Sequence, residues 1–178
     1  MADTAMERDN LQLEESQFIK RIEIQSIQTW IGHLGKYILY TPMQRAKIAQ
    51  RTLNFPYAVI GSGLNRIVYD LGNGYVLKVP LSFIGLASNA NEFHLYHYAH
   101  PDIKQHLCPV IELGLGWIVM KKMDRKMAVN LENLQKIGQL TQKFLLHFIV
   151  PVDLMPRNVA LTHDNKIIVI DYGLFIPF

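Results

Sequence analysis

Between residues 57 and 79 the chain alternates three short β-branched and aromatic runs with two glycine turns. The runs are residues 57–60, 66–70 and 75–79, and the turns are Gly61-Ser62-Gly63 and Gly72-Asn73-Gly74. Strands joined this tightly have no length for a crossover and must pair with their neighbours in sequence. The pattern therefore predicts a three-stranded antiparallel meander. Runs at 110–113 and 117–123 predict two more strands, and a hairpin is expected from 159–161 and 167–170 around His163-Asp164-Asn165.

Helical periodicity fills the rest. From about Glu14 to Leu53, Phe18, Ile22, Ile27, Trp30, Ile31 and Leu34 form one apolar stripe, weakened at its end by Gly32 and Gly35. A second start follows, with Thr41 as N-cap, Pro42 at the first helical position and Gln44 as capping-box partner. Met43, Ala46 and Leu53 are its expected buried side, and Asn54 to Pro56 end it. A helix is expected over 89–100. A longer one, capped by Asn130, carries Leu131, Leu134, Ile137, Leu140, Phe144, Leu145 and Phe148. Strands and helices that do not alternate strictly point to an α+β fold.

Composition narrows the class. Of 178 residues, 49% are hydrophobic and 19% charged, which suits one globular domain with an extension rather than a disordered chain. The formal charge of +3 gives no reason to expect nucleic acid as a partner. Cys108 is the only cysteine, so no disulfide forms within the chain. No apolar run reaches membrane-spanning length, and residues 1–15 have neither the basic start nor the apolar stretch of a secretory signal. A cytoplasmic location with no membrane partner is expected.

The chemistry concentrates near the end, in Asp153-Leu154-Met155-Pro156-Arg157-Asn158 and, after an apolar strand, Asp171-Tyr172-Gly173. One carboxylate that orients a hydroxyl, plus an amide oxygen and a second carboxylate that hold Mg²⁺, is the set phosphoryl transfer needs. These segments resemble the catalytic loop and metal-binding motif of the protein-kinase-like superfamily. Gly61-Ser62-Gly63-Leu64-Asn65-Arg66 resembles its glycine-rich loop, and Val76-Leu77-Lys78-Val79 its lysine strand. Glu92 opens a helix where the family places the lysine's partner. Residues 117–123 resemble the strand entering the adenine-contacting hinge.

The resemblance covers residues 57–173 and is closest to compact, C-terminally shortened Ser/Thr-kinase-like proteins of bacterial or phage type. It implies an antiparallel five-stranded N-lobe (56–123), a minimal helical C-lobe (124–178) and an N-terminal helical extension (1–55). It also implies ATP and Mg²⁺ as cofactors, with the γ-phosphate passed to a hydroxyl of a protein or small-molecule acceptor. The implied catalytic residues are Asp153, Lys78 and Glu92, and the metal ligands Asn158 and Asp171. Gly61, Ser62, Gly63, Lys78, Lys121 and Met123 would bind the nucleotide.

Three departures stand out. Arg66 replaces the loop's third glycine, where it would either clash with a phosphate or add positive charge to it. Pro151-Val152 replaces the His-Arg pair before the catalytic acid, and Met155 a common lysine. Only Leu174 to Phe178 follow Gly173, so a substrate lobe is expected to be missing. The N-terminal helices, a second protomer or another protein would then cover the surface left open. The alternatives are a pseudokinase acting as a nucleotide- or protein-binding regulatory module, and nucleotidyl transfer. Simpler roles compete for single residues: Asn89-Ala90-Asn91-Glu92 also reads as a capping box. His94, His97 and His100 have metal-ligand spacing, but His100 lies about 240° round the helix from His94. A solvated helix surface fits them better.

Overall fold

The structure, a computed structural model, describes residues 15–178. Its centre is the five-stranded sheet: β1 (Ala58–Ser62), β2 (Arg66–Asp70), β3 (Tyr75–Pro80), β4 (Val110–Gly114) and β5 (Trp117–Lys121). The order is β1-β2-β3-β5-β4, and every neighbouring pair is antiparallel. The β2–β3 turn needs its glycines, because Gly72 and Gly74 adopt φ of 75° and 87°. Asp70 Oδ1 accepts from the Gly72 amide at 2.9 Å and so fastens the turn.

Period-two alternation gives the sheet two buried faces. On one face, Ile67, Tyr69, Leu77, Val79, Trp117 and Val119 form a core with α1 (Arg21–Gly32) and α2 (Pro42–Leu53). Trp30 is fully buried there and donates its indole N–H to the Pro80 carbonyl at 2.7 Å. The expected capping box opens α2: Thr41 Oγ1 accepts from Gln44 N, and Gln44 Oε1 accepts from Thr41 N.

Some details differ from expectation. Glu14 lies outside the described residues, residues 15–20 are not helical, and α1 starts at Arg21. Ile27, Trp30 and Leu34 of the expected stripe are buried, but Ile22 is exposed and Ile24 is buried in its place. Buried Glu23 interrupts it, accepting hydrogen bonds from Lys20 N and the Tyr57 hydroxyl. Met43 is exposed, and Ala49 takes its place with Ala46 and Leu53. Because α1 and α2 are spent on the sheet, they do not cover the C-terminal part of the chain, one of the alternatives the sequence left open. Leu146, Phe148, Val150, Ile176 and Phe178 remain exposed there.

On the opposite face, Val76, Ile118 and Met120 meet α3 (Phe83–Tyr98), α5 (Leu131–Leu146) and the hairpin β7 (Val159–Leu161)–β8 (Ile167–Val169). A short helix, α4 (Pro101–Lys104), links α3 to β4, and β6 (Ile149–Val150) pairs with β9 (Ile176–Pro177). Asn130 caps α5 as expected, accepting from Asn133 N at 2.8 Å.

Helix α3 starts six residues earlier than expected, with Ser82 Oγ accepting from Gly85 N. Gly85 hid that start, since glycine in a first turn reads as a breaker. Its bare Cα is required, because a Cβ would stand 2.0 Å from the Asn65 carbonyl oxygen. Among the described residues, no helix is long and apolar enough to cross a membrane.

Candidate functional site

Alternation along β3 turns Lys78 toward α3, with Leu77 and Val79 on the other face. Lys78 Nζ donates to both carboxylate oxygens of Glu92, each at 3.1 Å. Glu92 lies within α3 rather than at its start, ten residues after Ser82, the N-cap. The capping-box role is therefore excluded. Asn89, the would-be cap, is a buried helix residue whose Oδ1 accepts from Arg66 at 3.2 Å.

Arg66 is the centre of this cluster, although the sequence reading placed it over the phosphates. Its guanidinium turns inward and grips Glu92 bidentately, Nη1 to Oε2 at 2.7 Å and Nη2 to Oε1 at 2.9 Å. Nη2 also donates to Asp171 Oδ1. Two cations and two carboxylates thus balance in a site where only Asp171 is substantially exposed. Burial alone would raise the Glu92 pKa. The charges of Arg66 and Lys78, with hydrogen bonds from Arg66 and the Tyr172 amide, bring it down to about 2. Burial likewise opposes charge on Arg66, but Glu92 and Asp171 outweigh it and push its pKa up.

One residue, Ile170, joins this cluster to the C-terminal loop through its two backbone polar groups. The Ile170 carbonyl accepts from Lys78 Nζ at 2.7 Å, and the Ile170 N–H donates to the Asn158 carbonyl at 2.8 Å. Asp171 is the next residue, so it is held between the lysine and the loop. Tyr172 then donates its amide to Glu92 Oε1 at 2.9 Å and its hydroxyl to the Cys108 carbonyl at 2.6 Å. Gly173 permits a close approach to α3, where a Cβ would lie 2.5 Å from that of Ser88. Asn91 closes the contact by donating to the Gly173 and Phe175 carbonyls.

Asp153 has φ of 62°, an uncommon region for a residue with a side chain. Asn158 Nδ2 pins it by donating to its carbonyl at 2.8 Å and to Oδ2 at 3.1 Å. Arg157 Nη2 donates to Oδ1 at 2.6 Å. With its amide nitrogen spent on Asp153, Asn158 has its amide oxygen left, a group that could ligate a hard cation. Asp171 keeps Oδ2, since Arg66 takes only Oδ1.

No family model matches the sequence, and no curated protein matches it. Solved structures do match. WbdD in complex with the kinase inhibitor LY294002 aligns over 70% of this chain with a TM-score of 0.54 and 16% identity. A second structure, of the bifunctional kinase-methyltransferase WbdD, aligns over 70% with a TM-score of 0.50 and 18% identity. The fold is protein-kinase-like. The matched region spans about a third of WbdD, 34% and 33% of its chain in the two structures. Rio2 kinase from Chaetomium thermophilum, in an ADP/Mg²⁺-phosphoaspartate complex, aligns over 68% of this chain at a TM-score of 0.49.

Within this kinase-like fold the glycine loop is the β1–β2 turn. Gly61 and Ser62 are the last residues of β1, and the Gly63 amide donates to the Arg66 carbonyl at 2.9 Å. The loop is tethered at its far end, where Ser82 Oγ donates to Asn65 Oδ1 and Arg45 reaches the Leu64 and Leu81 carbonyls. Lys121 ends β5, its amide donating to the Pro109 carbonyl. Lys121 and Met123 line a 420 Å³ cavity with Tyr96, Leu107, Thr162 and Ile168. None of Lys78, Glu92, Asp153, Asn158 or Asp171 borders that cavity.

The histidine triplet does not assemble. His94 packs on Tyr98, His97 Nδ1 donates to the Phe93 carbonyl, and α3 ends before His100. The role of Arg66 was the main omission of the sequence reading. Its signal was an arginine on a strand whose even register, shared with Val68, faces α3.

Proposed function

We propose that the chain is an ATP- and Mg²⁺-dependent phosphotransferase that passes the γ-phosphate to a hydroxyl of a protein or small molecule. The observation that carries this reading is the backbone of Ile170, whose carbonyl accepts from Lys78 and whose N–H donates to Asn158. It brings the phosphate-binding cation, the metal carboxylate and the catalytic loop together from three parts of the chain.

In this reading Lys78, aligned by Glu92, binds the α- and β-phosphates. Asn158 through its amide oxygen and Asp171 through Oδ2 would hold Mg²⁺, whose charge offsets that developing on the phosphates. Asp153, fixed by Asn158 and Arg157, orients the acceptor hydroxyl and takes its proton. The loop Gly61-Ser62-Gly63 and the hinge at Lys121 and Met123 would flank the nucleotide. A partner over the exposed side chains around Phe148 and Phe178, a second protomer or another protein, would complete the acceptor side.

A specific observation favours a second reading, in which the fold serves as a pseudokinase binding module. Both functional carboxylates are already paired with arginines, Asp171 with Arg66 and Asp153 with Arg157. Thermal unfolding with and without ATP and Mg²⁺ separates the two. Ligand at 100 times Kd adds about 2.7 kcal/mol, a shift of about 5–11 °C for a chain of this size. The phosphotransferase reading requires a Mg²⁺-dependent shift that Asp171→Ala abolishes, followed by phosphate release or transfer from labelled ATP. No shift, or one indifferent to Mg²⁺ and Asp171, sinks it.

A further inference from the structure

Away from the Lys78–Glu92 cluster, three ligand-bearing side chains from two segments converge. His100 caps α4, Asp102 lies in its first turn, and His147 follows the end of α5. One ligand atom from each falls within 4.8 Å of the other two. Asp102 Oδ2 is 3.6 Å from His100 Nδ1 and 3.8 Å from His147 Nε2. The two imidazole rings are 5.1 Å apart at their centroids.

The hydrogen bonds define what these atoms present to one another. The Asp102 amide can only donate, and it points at His100 Nδ1 at 3.3 Å, so that nitrogen carries a lone pair. The Lys143 carbonyl can only accept, and it lies 2.9 Å from His147 Nδ1. That nitrogen therefore bears the proton, and in the neutral ring Nε2 faces Asp102 with its own lone pair. Two lone pairs and a carboxylate oxygen thus converge, and the one donor among them is the Asp102 amide, 3.3 Å from His100 Nδ1. Among the described residues, Asp102 has no lysine or arginine partner. Lys143, the nearest cation on α5, is turned toward His106 Nε2 at 3.2 Å.

Three acceptors gathered this way need a cation. We propose that His100, Asp102 and His147 form a binding site for a divalent transition metal of the zinc class. Two imidazoles and one carboxylate suit Zn²⁺ among the borderline metals. A tetrahedral ion with bonds near 2.0–2.1 Å sets its ligand atoms about 3.3 Å apart. Closing from 3.6 and 3.8 Å takes rotations of His100 and Asp102, which are exposed, and exchanges the 3.3 Å contact of His100 Nδ1 with the Asp102 amide for the metal bond. His147 is the anchored member: it is the less exposed of the two histidines, and its Nδ1–H bond to a carbonyl fixes tautomer and ring plane, as outer contacts do in metal sites.

The ion would tie the α3–α4–β4 connection to the end of α5. These elements belong to the two parts of the kinase-like fold, so the metal acts as a clamp between them. The site does not depend on nucleotide binding and leaves a fourth coordination position open to water.

The test uses the full chain, stripped with chelator and dialysed. Co²⁺ titration followed by its visible d–d absorption should saturate at one equivalent, and Zn²⁺ should displace it. His147→Ala and Asp102→Asn should each weaken Zn²⁺ binding by at least about tenfold. His94→Ala, remote from the site, should leave it unchanged. Zn²⁺ should raise the thermal midpoint of the wild type and not of His147→Ala, whose midpoint in chelator shows that it folds. Equal affinity in His147→Ala and wild type overturns the proposal, as does failure to reach one equivalent.

Discussion

Changing Glu92 to Gln removes the carboxylate that faces both buried cations. In the native structure its two oxygens accept from Arg66 at 2.7 and 2.9 Å, from Lys78 at 3.1 Å twice, and from the Tyr172 amide at 2.9 Å. Glutamine keeps the shape but loses the charge, and its amide nitrogen points hydrogens at a guanidinium or an ammonium group. Asp171 alone remains to balance Arg66 and Lys78, and it is half in water. Breaking a buried ion pair from one side costs about 3–5 kcal/mol. For a chain of this size, that lowers the thermal midpoint by about 6–20 °C.

The same group sets a pH signature. Glu92 titrates near 2, against an ordinary value of 4.5, because the native state prefers its charged form. The difference corresponds to about 3 kcal/mol of stability. It is fully present above pH 4.5 and is lost as the pH falls toward 2, where the folded group also takes up a proton. Urea unfolding of wild type and Glu92→Gln, repeated from pH 7 down to pH 3, measures both effects. The variant should start lower and lose less on acidification. A cost below about 1 kcal/mol at pH 7, or parallel acid limbs for the two proteins, would refute a charged, buried Glu92 as the hub of the cluster.

Three further outcomes follow from contacts elsewhere. Gly173→Ala puts a methyl 2.5 Å from Ser88 Cβ and 2.9 Å from its carbonyl oxygen. It should cost about 1–3 kcal/mol in equilibrium unfolding by forcing residue 173 off α3, and wild-type stability would contradict the packing described. Trp30→Phe leaves the Pro80 carbonyl without its buried donor, a loss of about 1–3 kcal/mol that should disappear if the N-terminal helices are not docked on the sheet. Burial holds the Cys108 thiol up at about 12, so a thiol reagent at pH 8 should label it only after denaturant is added. Rapid labelling of the folded chain would show that the core around Tyr172 is open.

Local chemistry made much of the architecture readable from the sequence. Glycine turns with short alternating strands leave a meander almost no other pairing, and Thr41 and Asn130 mark helix starts because their side chains bond the next turn directly. The order Lys78, Glu92, Asp153, Asn158, Asp171 was legible through the resemblance of its segments to protein-kinase-like motifs. Tertiary structure decided the rest. The inward turn of Arg66 depends on partners 26 and 105 residues away, which no local period reports. The early start of α3 rests on a carbonyl of another turn that only a bare Gly85 can approach. His100 meets His147, rather than its helix neighbours His94 and His97, because α3 ends at Tyr98 and α5 ends beside α4. Side-chain periodicity states which face of an element is buried, while the packing of distant elements determines which groups meet there.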